Sequence, residues 1–220
     1  REDKHSSRMT QNAINATEAR NTLFSKDYNK NALISTSSVF TQSEYLSEDY
    51  GVFGGIRLDR VEIDKYLAGR FDRTKIQTPI SGFMRYERYF DTLSLYAGVG
   101  RAERASDFWE LQKVDGMSLK TEKNHQIDLG TIYDNGNLSL STNLFVSKID
   151  DYIILNYNGA TSSFNTDALL MGGEIDANIL INNFYKLGAG LSYVYGENLK
   201  DTNGLKDGDP LPQISPLVFK

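Results

Sequence analysis

Between residues 92 and 197 the chain alternates apolar and small or polar positions with a period of two. From Thr92 to Gly100, Leu93, Leu95, Ala97 and Val99 point one way, and Ser94, Tyr96, Gly98 and Gly100 the other. Gln126 to Tyr133 sets Ile127, Leu129, Thr131 and Tyr133 against Gln126, Asp128, Gly130 and Ile132. Leu138 to Ser147, Glu174 to Ile181 and Leu187 to Gly196 repeat the theme. Side chains of a strand alternate between two faces, so this repetition predicts a series of strands rather than helices. No clear period runs from Arg1 to about residue 32, which reads as a loop or a weak strand.

The connections alternate as well. Short turns are expected at Ser47–Asp49, Tyr89–Asp91, Asp134–Gly136 and Asn182–Asn183. Asn135-Gly136 carries a two-residue hairpin signal, since both positions tolerate positive φ. Longer polar connections fall at Lys65–Thr78, Ala102–Lys123, Asn158–Asp167 and Asn198–Leu211. Short turns on one side and long loops on the other are the pattern of an up-and-down transmembrane barrel, whose long loops are extracellular. On that logic strands near 50–64, 92–101, 137–157 and 185–197 run outward. Those near 33–46, 79–88, 124–133, 168–181 and 212–220 run inward, making about nine. Aromatics cluster near the expected strand ends: Tyr86, Tyr89, Phe90, Tyr133, Phe184 and Tyr185 by the short turns, and Tyr152, Tyr157, Tyr193 and Tyr195 by the long loops. Two aromatic girdles are expected where strands cross the lipid–water interfaces.

Composition sharpens this picture. Mean hydropathy is -0.44, and no run approaches the ~18 apolar residues a membrane helix requires. A barrel is compatible with that value because only every second residue of a strand faces lipid. Pattern alone also fits a soluble antiparallel sandwich. The polar face separates the two: it is largely Gly, Ser and Asn, which suits a crowded or wet lumen better than contact with bulk water. The formal net charge of -5 argues against a nucleic-acid partner. The absence of cysteine removes disulfides and thiolate metal sites. The charged start at Arg1 is no signal peptide, so further sequence is expected upstream. About nine strands would leave two unpaired edges in hydrocarbon, so additional strands are expected beyond both ends.

Several segments, in order, resemble TonB-dependent outer-membrane receptors. Arg57-Leu58-Asp59-Arg60 is similar to that family's "GxRLDR" strand. The stretch from Leu95 to Arg104, followed by Asp107-Phe108-Trp109-Glu110-Leu111, resembles "LYAGxGxxERxxDxWEL". Leu119 to Gly130 resembles "LKPEKxxQxDLG", with Thr121 replacing the proline. Asn165-Thr166-Asp167-Ala168 with Met171-Gly172-Gly173-Glu174 is similar to "NxDAxxMGGE". Gly208, Pro210-Leu211-Pro212 and Pro216 are similar to "G-x-PLPQxPP". The "ERxxDxWEL" and "MGGE" forms most resemble the copper-receptor branch. The resemblance covers residues 33–220 and implies part of a 22-stranded, plugged barrel in the outer membrane. It further implies partnership with outer-membrane lipid, with a plug domain and with the TonB complex; neither plug nor TonB box is recognised in these residues. Its cargo would be a metal ion, with copper in view, or a metal chelate, and no permanently bound cofactor is implied. A ferric-siderophore receptor and a passive porin or structural barrel are the alternatives. An enzyme would need a Ser/His/acid site that the sequence does not offer.

Candidate chemistry is sparse. His5 and Met9 combine imidazole and thioether, ligands that suit copper, although an exposed polar loop is the favoured explanation. His125 reads as a solvated rim residue, and Met84, Met117 and Met171 as strand or loop residues. Arg57, Arg85, Glu87, Asp128, Glu174 and Asp176 fall on the polar face. They could line a solute path or pair with a plug, the second being favoured because buried charges require partners. Asp107, Trp109 and Glu110 are expected to fix the start of a long loop, and Asp201, Asp207 and Asp209 to form a solvated one.

Overall fold

The computed structural model describes residues 2–14, 23–67, 70–111, 113, 116–156, 162–182, 184–212, 214 and 217–220, with backbone alone for 2–14, 23–32, 67, 156 and 182. It consists of β1 (Glu2–Ile14), β2 (Leu23–Leu46), β3 (Tyr50–Leu67), β4 (Arg70–Gln77), β5 (Ile80–Tyr89), β6 (Leu93–Arg104), β7 (Glu122–Asp134), β8 (Leu138–Asn156), β9 (Ser162–Asn182), β10 (Tyr185–Asn198) and β11 (Val218–Phe219). One helical turn, α1 (Phe108–Leu111), and a 3-10 turn at Gly116–Ser118 interrupt the β6–β7 connection. The strands form one antiparallel meander in chain order, with β4 set aside as a partner of the outer part of β3. β2 has 24 residues, β8 19 and β9 21. Crossing a bilayer takes only about 9–11 residues, so these strands project well beyond the lipid.

Register aligns like with like. Val99 faces Ile127, Ile127 faces Val146, and Val146 faces Met171. On the other face Gly98 opposes Asp128, and Asn143 opposes Glu174. The apolar face is left open: Val99 is 54 % exposed, Ile127 58 % and Leu144 62 %. A soluble sheet would bury such a row against a second layer. Here the buried apolar residues form two clusters, Val61–Ile63–Leu111 and Ile149–Ile154–Ala168–Leu211, both near the long connections. The outer face therefore has no side-chain core among the described residues, as is expected of a surface that meets lipid.

Glycines on the inner face are filled by aromatics from the neighbouring strand. A Cβ on Gly130 would lie 2.2 Å from Tyr96 Cζ and 2.5 Å from the Thr142 carbonyl. Gly172 stands in the same relation to Phe145, and Gly55 to Phe83. These fits tie each strand to one register, because a slip of one residue would bring a side chain into the ring.

Several sequence expectations change. At the start of the chain, read as a loop or a weak strand, Glu2–Ile14 form β1 and pair antiparallel with the first part of β2. The polar run at Lys65–Thr78 is not an open loop but the β3–β4 hairpin. Among the described residues of 212–220, the expected inward strand is represented by the two-residue β11, paired with Leu191 and Ser192. The Asn135-Gly136 turn uses three residues, 135–137, and positive φ only at Gly136 (86°). Asn135 avoids it because its side-chain oxygen accepts from Asn137 N (3.1 Å) and Leu138 N (2.8 Å), closing the turn without a left-handed backbone. Of the expected girdle aromatics, Tyr86 stacks on Tyr50 (6.0 Å), which in turn meets Tyr45 (5.9 Å). Tyr89 instead turns to the inner face, where its hydroxyl donates to Glu87 (3.0 Å). Tyr152 packs against the Ile149 cluster, and Tyr157 lies outside the described residues.

Replacing Gly130 with Val should destabilise the parent barrel by about 1–3 kcal/mol, because both Tyr96 and the β8 backbone must move. The urea midpoint of refolded full-length protein in vesicles measures this; an unchanged midpoint would show that the glycine–tyrosine fit does not constrain the sheet.

Candidate functional site: the inner face and its extracellular mouth

The inner-face candidates do not form one cluster. Arg85 pairs with Glu87 at 2.5 Å and lies over the Tyr96 ring, 3.9 Å from its centroid. Tyr96 donates to Asn143 Oδ1 at 3.1 Å, so a charged and aromatic chain runs across β5, β6 and β8. Gly98 separates Arg85 from Asp128 in the same row. Asp128 accepts from Gln126 at 2.7 Å. Arg57 stands apart, bonded through Nε to both oxygens of Asp59 (2.9 Å each), with Ser38 bonded to the same carboxylate. Glu174 and Asp176 make no ion pair among the described residues. These groups are polar lining with local partners, and no three metal-binding His, Cys, Asp or Glu side chains converge among the described residues. No described helix is long and apolar enough to cross a membrane, which says nothing about a β-barrel.

His5 and Met9 both fall on β1, opposite Ala32 and Tyr28. Four residues apart on a strand they share a face but stand about 13 Å apart along it. Their side chains lie outside the described residues. His125 is at the rim as expected, 3.7 Å from Asp150. Met84 and Met171 sit on the exposed apolar face, and Met117 packs against the Val61 cluster.

The most ordered chemistry lies at the mouth, where the "ERxxDxWEL" residues fold inward. Asp107 and Glu110 cap α1 reciprocally: Glu110 N donates to Asp107 Oδ1 and Asp107 N to Glu110 Oε2, both at 2.8 Å. Arg104 then grips both oxygens of Glu110 (3.0 Å each) and reaches Glu122 Oε2 at 3.0 Å. Burial works against the Arg104 charge, but its hydrogen bonds to Glu110 and Glu122 outweigh it and hold the guanidinium pKa above its ordinary value. Glu122 also accepts from Ile153 N (3.1 Å), and the Glu110 carbonyl from Ser163 Oγ (2.8 Å), tying this loop to β8 and β9. On the other side Lys75 donates to the carbonyls of Met117 (3.2 Å) and Leu119. Leu111 thereby closes over Val61 and Ile63.

The 199–217 connection has its own anchor. Asn198 is wholly buried. Its Oδ1 accepts from Thr166 Oγ1 at 2.6 Å, while its Nδ2 donates to the carbonyls of Lys200 and Lys206. Asp209 and Asp201 accept from the backbone amides of Lys206 (2.7 Å) and Asp207 (2.8 Å), which makes them loop-forming groups. Asp107 and Glu110 were legible as loop anchors in the sequence. Arg104, Glu122 and Asn198 were not, because the contacts Arg104–Glu122, Glu122–Ile153 and Asn198–Thr166 span 18 to 32 positions and only pairing brings them together.

An antiparallel meander with an open apolar exterior, a polar interior and loops folded over one mouth defines an outer-membrane β-barrel. More particularly, the chain belongs to the TonB-dependent receptor family: residues 4–220 match the family profile described as "TonB dependent receptor-like, beta-barrel". That is a family of outer-membrane transporters and not of enzymes. Among solved structures, the copper transporter OprC is 26 % identical, covering 99 % of this chain and 41 % of its own, with a TM-score of 0.75. The ferric-catecholate import receptor Fiu from E. coli K12 is 15 % identical, over 99 % of this chain and 37 % of its own, with a TM-score of 0.71. The ferric citrate transporter FecA is 15 % identical, over 98 % and 34 %, with a TM-score of 0.73. The chain thus spans between about a third and two fifths of the length of these structures. No curated protein sequence matches it.

Removing the Arg104 side chain leaves two carboxylates unpaired, one of them mostly buried. Arg104→Ala should therefore weaken amide protection over Phe108–Leu111 by about 1–3 kcal/mol, discounted because Arg104 itself is partly exposed. Hydrogen exchange on the full-length protein reads this directly; unchanged protection would mean that the apolar contacts of Leu111 alone hold the loop.

Proposed function

We propose that this chain is the barrel portion of a TonB-energised transporter that takes up a metal ion, copper, across the bacterial outer membrane. The observation that carries this is its 26 % identity, along 99 % of the chain, to the copper transporter OprC. Fiu and FecA share the fold at 15 % identity, which supports the barrel but not a ferric cargo. The transporter would work with its own plug domain, the TonB complex and outer-membrane lipid. The soft-ligand candidates are His5 and Met9. Their separation of about 13 Å along one strand suits two successive contacts for a passing ion better than one chelate. Arg57, Arg85, Glu87, Asp128, Glu174 and Asp176 would line the inner wall, where the Arg85–Glu87 and Arg57–Asp59 pairs limit free charge facing the cargo.

Deleting the parent gene should lower copper accumulation in copper-limited cells, and loss of TonB should lower it equally. His5→Ala and Met9→Ala should each weaken copper binding to the purified full-length protein. Unchanged copper accumulation together with lost ferric-siderophore uptake would transfer the assignment to a ferric chelate. Unchanged copper affinity in both variants would remove the pair.

A further inference from the structure

The β7–β8 turn surrounds an asparagine–glycine pair with directed hydrogen bonds. Asn135 Oδ1 accepts from two backbone amides, Asn137 N (3.1 Å) and Leu138 N (2.8 Å). Its Nδ2 donates to the Tyr133 hydroxyl at 3.0 Å. The Gly136 N–H donates to Asp134 Oδ1 at 2.7 Å. Asn135 and Gly136 are both exposed, and a Cβ placed on Gly136 would meet nothing within 4 Å.

A pair of the same sequence stands at Asn203-Gly204. It is also exposed, in the tight turn that Thr202 and Leu205 close. There both residues take the left-handed backbone, with φ of 47° and 89°. Among the described residues neither the Asn203 side chain nor the Gly204 N–H has a hydrogen-bond partner. The two sites thus share a dipeptide and its accessibility but not its contacts.

Those contacts match the demands of one reaction, attack of the glycine nitrogen on the asparagine side-chain carbonyl. The Asx turn folds the Asn135 carboxamide back over the following peptide, which brings its carbonyl carbon towards Gly136 N. The Asn137 and Leu138 amides already point at the oxygen on which negative charge develops. The Asp134 carboxylate is seated on the attacking N–H, where a general base belongs. The Tyr133 hydroxyl orients the nitrogen that must leave.

We propose that Asn135 is a self-modifying site, which this turn converts to aspartate and isoaspartate through a succinimide. Gly136 N bonds to Asn135 Cγ as its proton passes to Asp134 Oδ1. The Cγ–Nδ2 bond then breaks, and the same proton returns to the departing nitrogen, which leaves as ammonia. Water opens the ring at either carbonyl and gives aspartate or isoaspartate. The product adds a carboxylate beside Asp134, and isoaspartate also lengthens the main chain where β7 passes into β8. This inference is independent of the cargo.

The test uses full-length protein folded in detergent and incubated near neutral pH in water enriched in heavy oxygen. Peptide mass spectrometry follows positions 135 and 203 in the same molecules. Conversion at 135 should be faster than at 203 by about tenfold or more, with heavy oxygen in the products and isoaspartate among them. Unfolding in urea should slow position 135 towards the rate of position 203. Asp134→Ala should slow position 135 by about tenfold or more and leave position 203 unchanged. Heat-modifiable gel mobility verifies that the variant is folded, and the urea arm on wild type decides the matter if it is not. Contacts that merely close the turn would protect Asn135 in the folded protein. A rate at 135 equal to or below that at 203, or faster conversion in urea, would therefore overturn the proposal. Unchanged conversion in folded Asp134→Ala, or aspartate without isoaspartate, would overturn it as well.

Discussion

Backbone hydrogen bonding in hydrocarbon is the constraint on which the rest depends. An unpaired N–H or C=O has no water to turn to inside a bilayer, so strands can cross only if each is paired along its length. The continuous ladder from β2 to β10 meets that requirement, and it also decides what every side chain meets. With a period of two, the pairing that saves the backbone assigns Ile127 and Leu129 to lipid and Asp128 and Gly130 to the interior. Fits such as Tyr96 across Gly130 then hold the register.

The membrane portion and the mouth obtain their order from different sources. Across the lipid band, the described outward apolar side chains meet only neighbours of their own sheet, and further burial is left for the surrounding membrane to supply. Beyond it, long strands support inward-folded connections that build small protein cores of their own around Ile63 and Ala168. Each core is accompanied by a polar knot, Arg104–Glu110–Glu122 in one and Asn198–Thr166 in the other. Buried polar groups require such partners, and in meeting that requirement they fix loops that would otherwise be long and unsupported.

Much of this was legible in the sequence, for physical reasons that also explain the rest. Alternation is local, so β6, β7, β8 and β10 could be read nearly to their ends, and the small polar second face already distinguished lipid from water. The family profile then selects the TonB-dependent class from the barrels that pattern alone allowed. Residues 2–14 and 23–32 could be read only as a loop or a weak strand because they are largely polar on both faces, and pairing between β1 and β2 is not a local signal. Tyr89 was misplaced because proximity to a strand end does not specify a face, whereas parity does, and Tyr152 because the irregularity between Ile149 and Tyr152 turns it to the face of the Ile149 cluster.

The central claim is that odd-numbered residues of β7 face lipid and even-numbered ones a wet interior. The chain has no cysteine, so single cysteines from Ile127 to Ile132 can carry an environment-sensitive label in the full-length protein in membranes. The account predicts a strict alternation, with labels at 127, 129 and 131 quenched by lipid-borne quenchers and those at 128, 130 and 132 by aqueous ones. Uniform aqueous quenching along the segment, or the opposite parity, would contradict it.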